Sequence, residues 1–222
     1  MTCSPRRFLL KQLCRLSKLS AMWKYVPNTL TLGRLGLTLV FLGMILYFPR
    51  LPEAQRPFFL DIAFVLFVVA GLTDIVDGHI ARRFNAATKF GRMVDPLVDK
   101  VLVCGAFVCF AVVGVPGLFG LGPAPLAVIH WSVAAILILR EAYVTVLRHV
   151  AEARGINFAA VASGKIKMFL QTFAIGTVLI KTAHVQQAAW GNWFTVVVFT
   201  VMIVMTVVSG LNATRRTQTT QT

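Results

Sequence analysis

Four of the eight acidic residues in this 222-residue chain fall within one short stretch, "DIVDGHIARRFNAATKFGRMVDPLVDK", at Asp74, Asp77, Asp95 and Asp99. On an α-helix Asp74, Asp77, Gly78 and Ala81 stand at offsets 0, 3, 4 and 7 and form one stripe, while Gly91, Asp95 and Asp99 stand at 0, 4 and 8 and form another. The short polar connection "RRFNAATKF" lets two such helices pack side by side, so that all four carboxylates converge. Like charges that close repel strongly, and a divalent cation relieves them. Ligation by oxygen alone selects a hard ion, Mg²⁺ or Mn²⁺. Gly78, Ala81 and Gly91 remove side-chain bulk beside the acids, and Arg82 adds a fork suited to phosphate, which together describe a pocket for a metal-bound diphosphate. On spacing alone, the competing account is a structural ion-pair network in which Arg82, Arg83, Lys89 and Lys100 neutralise the aspartates. Pro96 follows Asp95 directly and has no backbone N–H to donate, so it is expected to kink or start a helix.

A second set of charges lies further along. Arg140 and Glu141 interrupt an apolar run, Arg148 follows eight residues later, and Lys165 and Lys167 stand after a short connection. Cations near four aspartates can hold a second anion, as a phosphorylated co-substrate requires if its phosphate is not to occupy the metal centre. For Arg148 and Lys167, anchoring at helix ends on the cytoplasmic side is an equal account. Arg140 lies inside an apolar stretch, which favours a functional role or pairing with Glu141.

The elements that position these groups follow from hydropathy. The chain is 57% hydrophobic and 14% charged, with a mean hydropathy of +0.76, far from soluble globular averages. Apolar runs near 20 residues read as membrane-spanning helices. Six are expected, at residues 28–48, 59–82, 94–114, 125–148, 163–182 and 192–211, giving an all-α polytopic membrane protein. The domain plan is a basic amphipathic segment at 1–25, a six-helix membrane domain at 26–212 and a polar tail at 213–222.

Lys and Arg set the orientation. They crowd the N-terminal segment (Arg6, Arg7, Lys11, Arg15, Lys18, Lys24), the second connection (Arg82, Arg83, Lys89, Arg92) and the fourth (Arg148, Arg154, Lys165, Lys167). Both termini and the aspartates are therefore expected on the cytoplasmic face of a bacterial inner membrane, in preference to the matrix face of a mitochondrial one. In the first 25 residues Arg7, Lys11, Arg15 and Lys18 recur at helical spacing, with Leu9, Leu13 and Leu16 roughly 200° away. An interfacial juxtamembrane helix fits this pattern best. An acid-free transit peptide competes with it.

The net charge of +14 implies attraction to anionic lipid headgroups and anionic substrates, and nucleic acid is excluded as a partner because no soluble basic module exists. Cys3, Cys14, Cys104 and Cys109 lack metal-site spacing. The four histidines, His79, His130, His149 and His184, are scattered, so neither a zinc site nor a His-based triad emerges.

Asp74, Asp77, Gly78, Ala81, Arg82, Gly91, Asp95 and Asp99 meet every fixed position of D-x2-D-G-x2-A-R-x8-G-x3-D-x3-D, which resembles the signature of the CDP-alcohol phosphotransferases. Beyond it, "VPNTLTLGR" at 26–34, "VDPLVDK" at 94–100, "ILREAYVTVLRHVAEARG" at 138–155 and "GKIK" at 164–167 are similar to family members that join CDP-diacylglycerol to sn-glycerol 3-phosphate. The likeness runs over roughly residues 25–182 and fades in the last span. It implies six transmembrane helices, two bound divalent ions held by Asp74, Asp77, Asp95 and Asp99, and a homodimer. It also implies Asp99 as general base for the acceptor hydroxyl. Asn28, Thr31 and Arg34 would border the nucleotide with Gly78, Ala81, Arg82 and Gly91, although packing is an equal account of Thr31. Arg140, Arg148, Lys165 and Lys167 would take the acceptor phosphate.

Other readings stay open at this point. A cardiolipin synthase or a phosphatidylinositol-phosphate synthase would carry the same signature, and the cations at 140, 148 and 165 favour a phosphorylated acceptor over phosphatidylglycerol. A cation transporter could use intramembrane aspartates as an ion path, but it should spread them over several spans.

Overall fold

The structure is a computed structural model that describes residues 26–83, 89–153 and 162–219, and, of their side chains, those of 32–73, 97–151 and 166–215. Among the described residues there is no strand. The described residues form six α-helices, in order α1 (Val26–Tyr47), α2 (Arg56–Arg83), α3 (Lys89–Val113), α4 (Pro123–Ala153), α5 (Ala162–His184) and α6 (Ala189–Thr219). Each coincides with one expected span. The amphipathic segment expected at 1–25 lies outside the described residues.

Among the described residues, five helical stretches are long and apolar enough to cross a membrane: Leu32–Arg50, Glu53–Thr73, Pro123–Ala151, Ile166–His184 and Ala189–Arg215. The expected span at 94–114 falls on α3 and is not among the five, since the first turns of α3 lie outside the residues whose side chains are described. The chain is thus an integral membrane protein built from helices, as hydropathy requires. Pro96 does not start a helix. α3 begins at Lys89 and runs through it, at the cost of the one backbone hydrogen bond that proline cannot donate.

Breaks between helices fall where the chain chemistry demands them. After α1 come two single 3₁₀ turns, Phe48–Arg50 with Pro49 inside it and Glu53–Gln55 with Pro52 at its N-cap. The Arg56 guanidinium ties this corner by donating to the carbonyls of Leu51 at 3.0 Å and Pro49 at 3.1 Å. α3 ends on Gly114 at φ +79°. There the Gly114 and Val115 amides both donate to the Phe110 carbonyl, a left-handed cap that glycine adopts without a Cβ penalty.

The chain forms two compact units, Met1–Val40 with Phe67–Asp99, and Phe41–Leu66 with Lys100–Thr222. Within the first, the buried side chains are Arg34 and Thr38 of α1, Phe67 and Ala70 of α2, and Val98 of α3. Within the second, α6 packs against both α4 and α5 around Leu137, Ile175, Val178, Leu179 and Met202. The second unit also holds Phe41, Leu60 and Phe107 in its core. Close approach is bought there by small residues: a Cβ on Gly176 of α5 would stand 3.2 Å from the Phe64 ring of α2, the packing mode expected where lipid supplies no hydrophobic drive between helices. Large apolar side chains such as Leu139, Val128 and Phe169 point outward, as a lipid-facing surface requires.

Candidate functional site

The signature is carried by α2 and α3. Residues 74–83 and 89–99 are helical, so the 0, 3, 4, 7 and 0, 4, 8 offsets place Asp74, Asp77, Gly78 and Ala81 on one stripe and Gly91, Asp95 and Asp99 on another. The side chains of Asp74, Asp77, Gly78, Ala81, Arg82, Gly91 and Asp95, and those of Asn28 and Thr31, lie outside the described ones. Asp99 is described. Its Oδ1 accepts a hydrogen bond from Arg34 Nη1 of α1 at 3.0 Å, with Arg34 2% and Asp99 27% exposed. The arginine is buried and the carboxylate is partly exposed. Arg34, expected at the nucleotide, is seen here holding a signature carboxylate.

The donor chemistry fits a hard divalent ion. Of the four carboxylates expected as ligands, Asp99 is described and is partly exposed, and an all-carboxylate set is what such an ion prefers. Among the described residues no group of three or more His, Cys, Asp or Glu could hold a metal; three of the four expected ligands fall outside them.

The second charged cluster lies within the larger unit. Glu141 of α4 uses one oxygen, Oε1, to accept from Arg140 Nη1 at 3.0 Å and from Lys167 Nζ of α5. These side chains are 12%, 14% and 7% exposed for Arg140, Glu141 and Lys167, so the three charges are largely withdrawn from solvent. Arg140 Nη2 donates to Ser209 Oγ of α6 at 2.6 Å. One turn along α4, the Thr145 hydroxyl donates to the Glu141 carbonyl and accepts from Lys100 Nζ. Lys100 had been placed among the possible neutralisers of the aspartates, and its ammonium is instead seated on Thr145. With Arg140, Lys167 and Lys100 against Glu141, this cluster carries an excess of positive charge in an apolar setting, which is the condition for binding an anion.

Of the four cations expected at a second anion site, the structure brings Arg140 and Lys167 together. Arg148 lies eight residues beyond Arg140 on α4 and is exposed. The Lys165 side chain lies outside the described ones. Sequence reasoning anticipated the Arg140–Glu141 pairing but missed Ser209 and the Lys100–Thr145 contact. The only local signal for Ser209 was a small polar residue beside Gly210 in an otherwise apolar run.

Comparison with known proteins gives these arrangements a context. The chain is 35% identical over 191 residues to a Mycobacterium tuberculosis protein named probable phosphatidylglycerophosphate synthase, covering 86% of this chain and 80% of that one. It is 34% identical over 190 residues to the Bacillus subtilis CDP-diacylglycerol–glycerol-3-phosphate 3-phosphatidyltransferase, covering 83% and 91%. A Cereibacter sphaeroides protein of the same name is 31% identical over 159 residues, covering 71% and 64%. The family model for CDP-alcohol phosphatidyltransferase matches residues 24–208, a span that contains the whole aspartate signature and the Arg140–Glu141–Lys167 cluster. With the signature complete and the match running over nearly all of the helical region, the chain belongs to the CDP-alcohol phosphatidyltransferase family of transferases.

Proposed function

We propose that this enzyme transfers the phosphatidyl group of CDP-diacylglycerol to sn-glycerol 3-phosphate, giving phosphatidylglycerophosphate and CMP. The observation that carries the reading is the likeness, across more than four fifths of the chain, to relatives whose names state that reaction. The buried Arg140–Glu141–Lys167 cluster supports a phosphorylated acceptor, because cations held in an apolar setting attract a phosphate and would leave an uncharged headgroup poorly matched.

Asp74, Asp77, Asp95 and Asp99 would hold two Mg²⁺ or Mn²⁺ ions, which when bound supply charge neutralisation of the donor diphosphate. Gly78, Ala81 and Gly91 leave space for the nucleotide beside Arg82, with Asn28, Thr31 and Arg34 along its border. Asp99 takes the proton of the acceptor hydroxyl as its oxygen attacks the phosphorus attached to diacylglycerol; the bond to the cytidine phosphate breaks and CMP leaves. Arg34, by donating to Asp99 Oδ1, fixes the direction of that carboxylate. Arg140 and Lys167 hold the acceptor phosphate, with Arg148 and Lys165 completing its cationic surround.

The same reading places residues 26–212 in the catalytic membrane domain, preceded by the interfacial segment 1–25 and followed by the tail 213–222. The site and both termini face the cytoplasm of a bacterial inner membrane, and the working unit is a homodimer.

The test is an acceptor panel. Purified protein with CDP-diacylglycerol is offered glycerol 3-phosphate, inositol phosphate, phosphatidylglycerol and serine, and the lipid product is identified by mass. Phosphatidylglycerophosphate is expected, with Arg140→Ala raising the KM for glycerol 3-phosphate by about 10- to 100-fold, as loss of a charge-assisted contact implies. A product formed from inositol phosphate or phosphatidylglycerol in preference would overturn the assignment.

A further inference from the structure

Arg140 is gripped from two sides. On its own helix it donates to Glu141, a neighbour that moves with it. The hydrogen bond to Ser209 is the only one among the described residues that reaches it from another helix. Ser209 is itself 4% exposed, so its hydroxyl is committed to the interior and is not exchanging with bulk water. The Arg140 Nε–H is buried and has no hydrogen-bond partner. Beside it α6 presents Gly210, where an added Cβ would stand 3.9 Å from Nε and 3.6 Å from Cγ. The serine and the glycine therefore do two things at adjacent positions: one fixes the guanidinium plane and the other keeps its flank clear.

An arginine side chain carries about 2 kcal/mol of rotamer entropy, and little is lost on ligand binding when the fork is already fixed. A buried cation with a donor lacking a partner is also a poor structural strut, since an unsatisfied donor costs stability. Both points favour a guanidinium held ready for an anion. The match to the family model covers residues 24–208, and Ser209 is the next residue.

We infer that Ser209 is a positioning residue for the phosphorylated acceptor, accepting from Arg140 Nη2 so that the remaining N–H groups of the guanidinium are held toward the acceptor phosphate. This rests on the reading of Arg140 as an acceptor contact given above. The full-length protein is assayed with CDP-diacylglycerol and glycerol 3-phosphate. Ser209→Ala should raise the KM for glycerol 3-phosphate by about 3- to 10-fold, the loss of about 0.7 to 1.4 kcal/mol at 1.4 kcal/mol per tenfold, with kcat and the KM for CDP-diacylglycerol unchanged. Ser209→Thr, which keeps the hydroxyl, should restore the KM to within about twofold.

Tyr143→Phe is the control. The Tyr143 hydroxyl shares a hydrogen bond with Thr214 Oγ1 at 3.0 Å, so the variant removes a bond between the same two helices without touching Arg140, and its KM should not move. An unchanged KM in Ser209→Ala, or an equal rise in Tyr143→Phe, overturns the inference. Should Ser209→Ala be too unstable to assay, Ser209→Cys, with a weaker acceptor of similar size, reads the same KM under the same criterion. Arg140→Ala separates the two levels: if it leaves the KM unchanged the acceptor assignment itself falls, and if it raises the KM while Ser209→Ala does not, only the positioning role falls.

Discussion

Replacing Glu141 by alanine should destabilise the protein far more than any single contact would suggest. One carboxylate oxygen serves both Arg140 and Lys167, and these cations are only 12% and 7% exposed. Without it two like charges remain together, poorly hydrated and unneutralised. Breaking a buried ion pair by removing one partner costs about 3–5 kcal/mol, and at about 2–4 °C per kcal/mol for a chain of this size the melting temperature should fall by about 6–20 °C. Thermal unfolding in detergent measures this directly. Lys167→Met in the Glu141→Ala background removes one stranded cation, so the double variant should be more stable than the sum of the single changes by about 1–3 kcal/mol. A Glu141→Ala protein that melts within about 2 °C of the parent, or strictly additive single effects, would show that the three charges do not act as a unit.

Metal dependence follows from the proposed ligand set: a chelator should abolish turnover, and Mg²⁺ or Mn²⁺ should restore it, while full activity after verified metal removal would contradict that set. Asp99→Asn should lose turnover and retain measurable CDP-diacylglycerol binding, because the amide can still accept from Arg34 but cannot take a proton; an active Asp99→Asn enzyme would move the base elsewhere. Gly78→Leu or Gly91→Leu should abolish CDP-lipid binding with the fold intact, and unchanged binding would make these glycines helix-packing residues instead.

Much of the helical scaffold was legible in the sequence because a membrane imposes a length on every apolar run. The expected spans at 28–48 and 163–182 became α1 at Val26–Tyr47 and α5 at Ala162–His184. Where prediction fell short, the helix outran the expected span: α6 extends to Thr219 rather than 211 and α4 to Ala153 rather than 148. Hydropathy marks where a helix meets lipid and says little about where its backbone hydrogen bonds stop. The site divided along the same line. Spacing along one helix gave the Arg140–Glu141 neighbours. It could not give the partners supplied by other helices, such as Asp99 for Arg34 at 65 residues' separation or Ser209 for Arg140 at 69, because those are set by packing and leave no periodic trace.

The Arg34–Asp99 pair also constrains how the molecule is made. Arg34 belongs to α1, and its carboxylate partner is synthesised 65 residues later, about 3 to 13 seconds at roughly 5–20 residues per second. Until then this ion pair is missing, and a guanidinium near the membrane surface is accommodated by other groups, such as water or lipid phosphates. The pair itself forms only once α3 has been made. α3 therefore brings the contact that ties the residue orienting the proposed catalytic base to its carboxylate, and a chain truncated before Asp99 should hold α1 less firmly in the membrane than the complete one does.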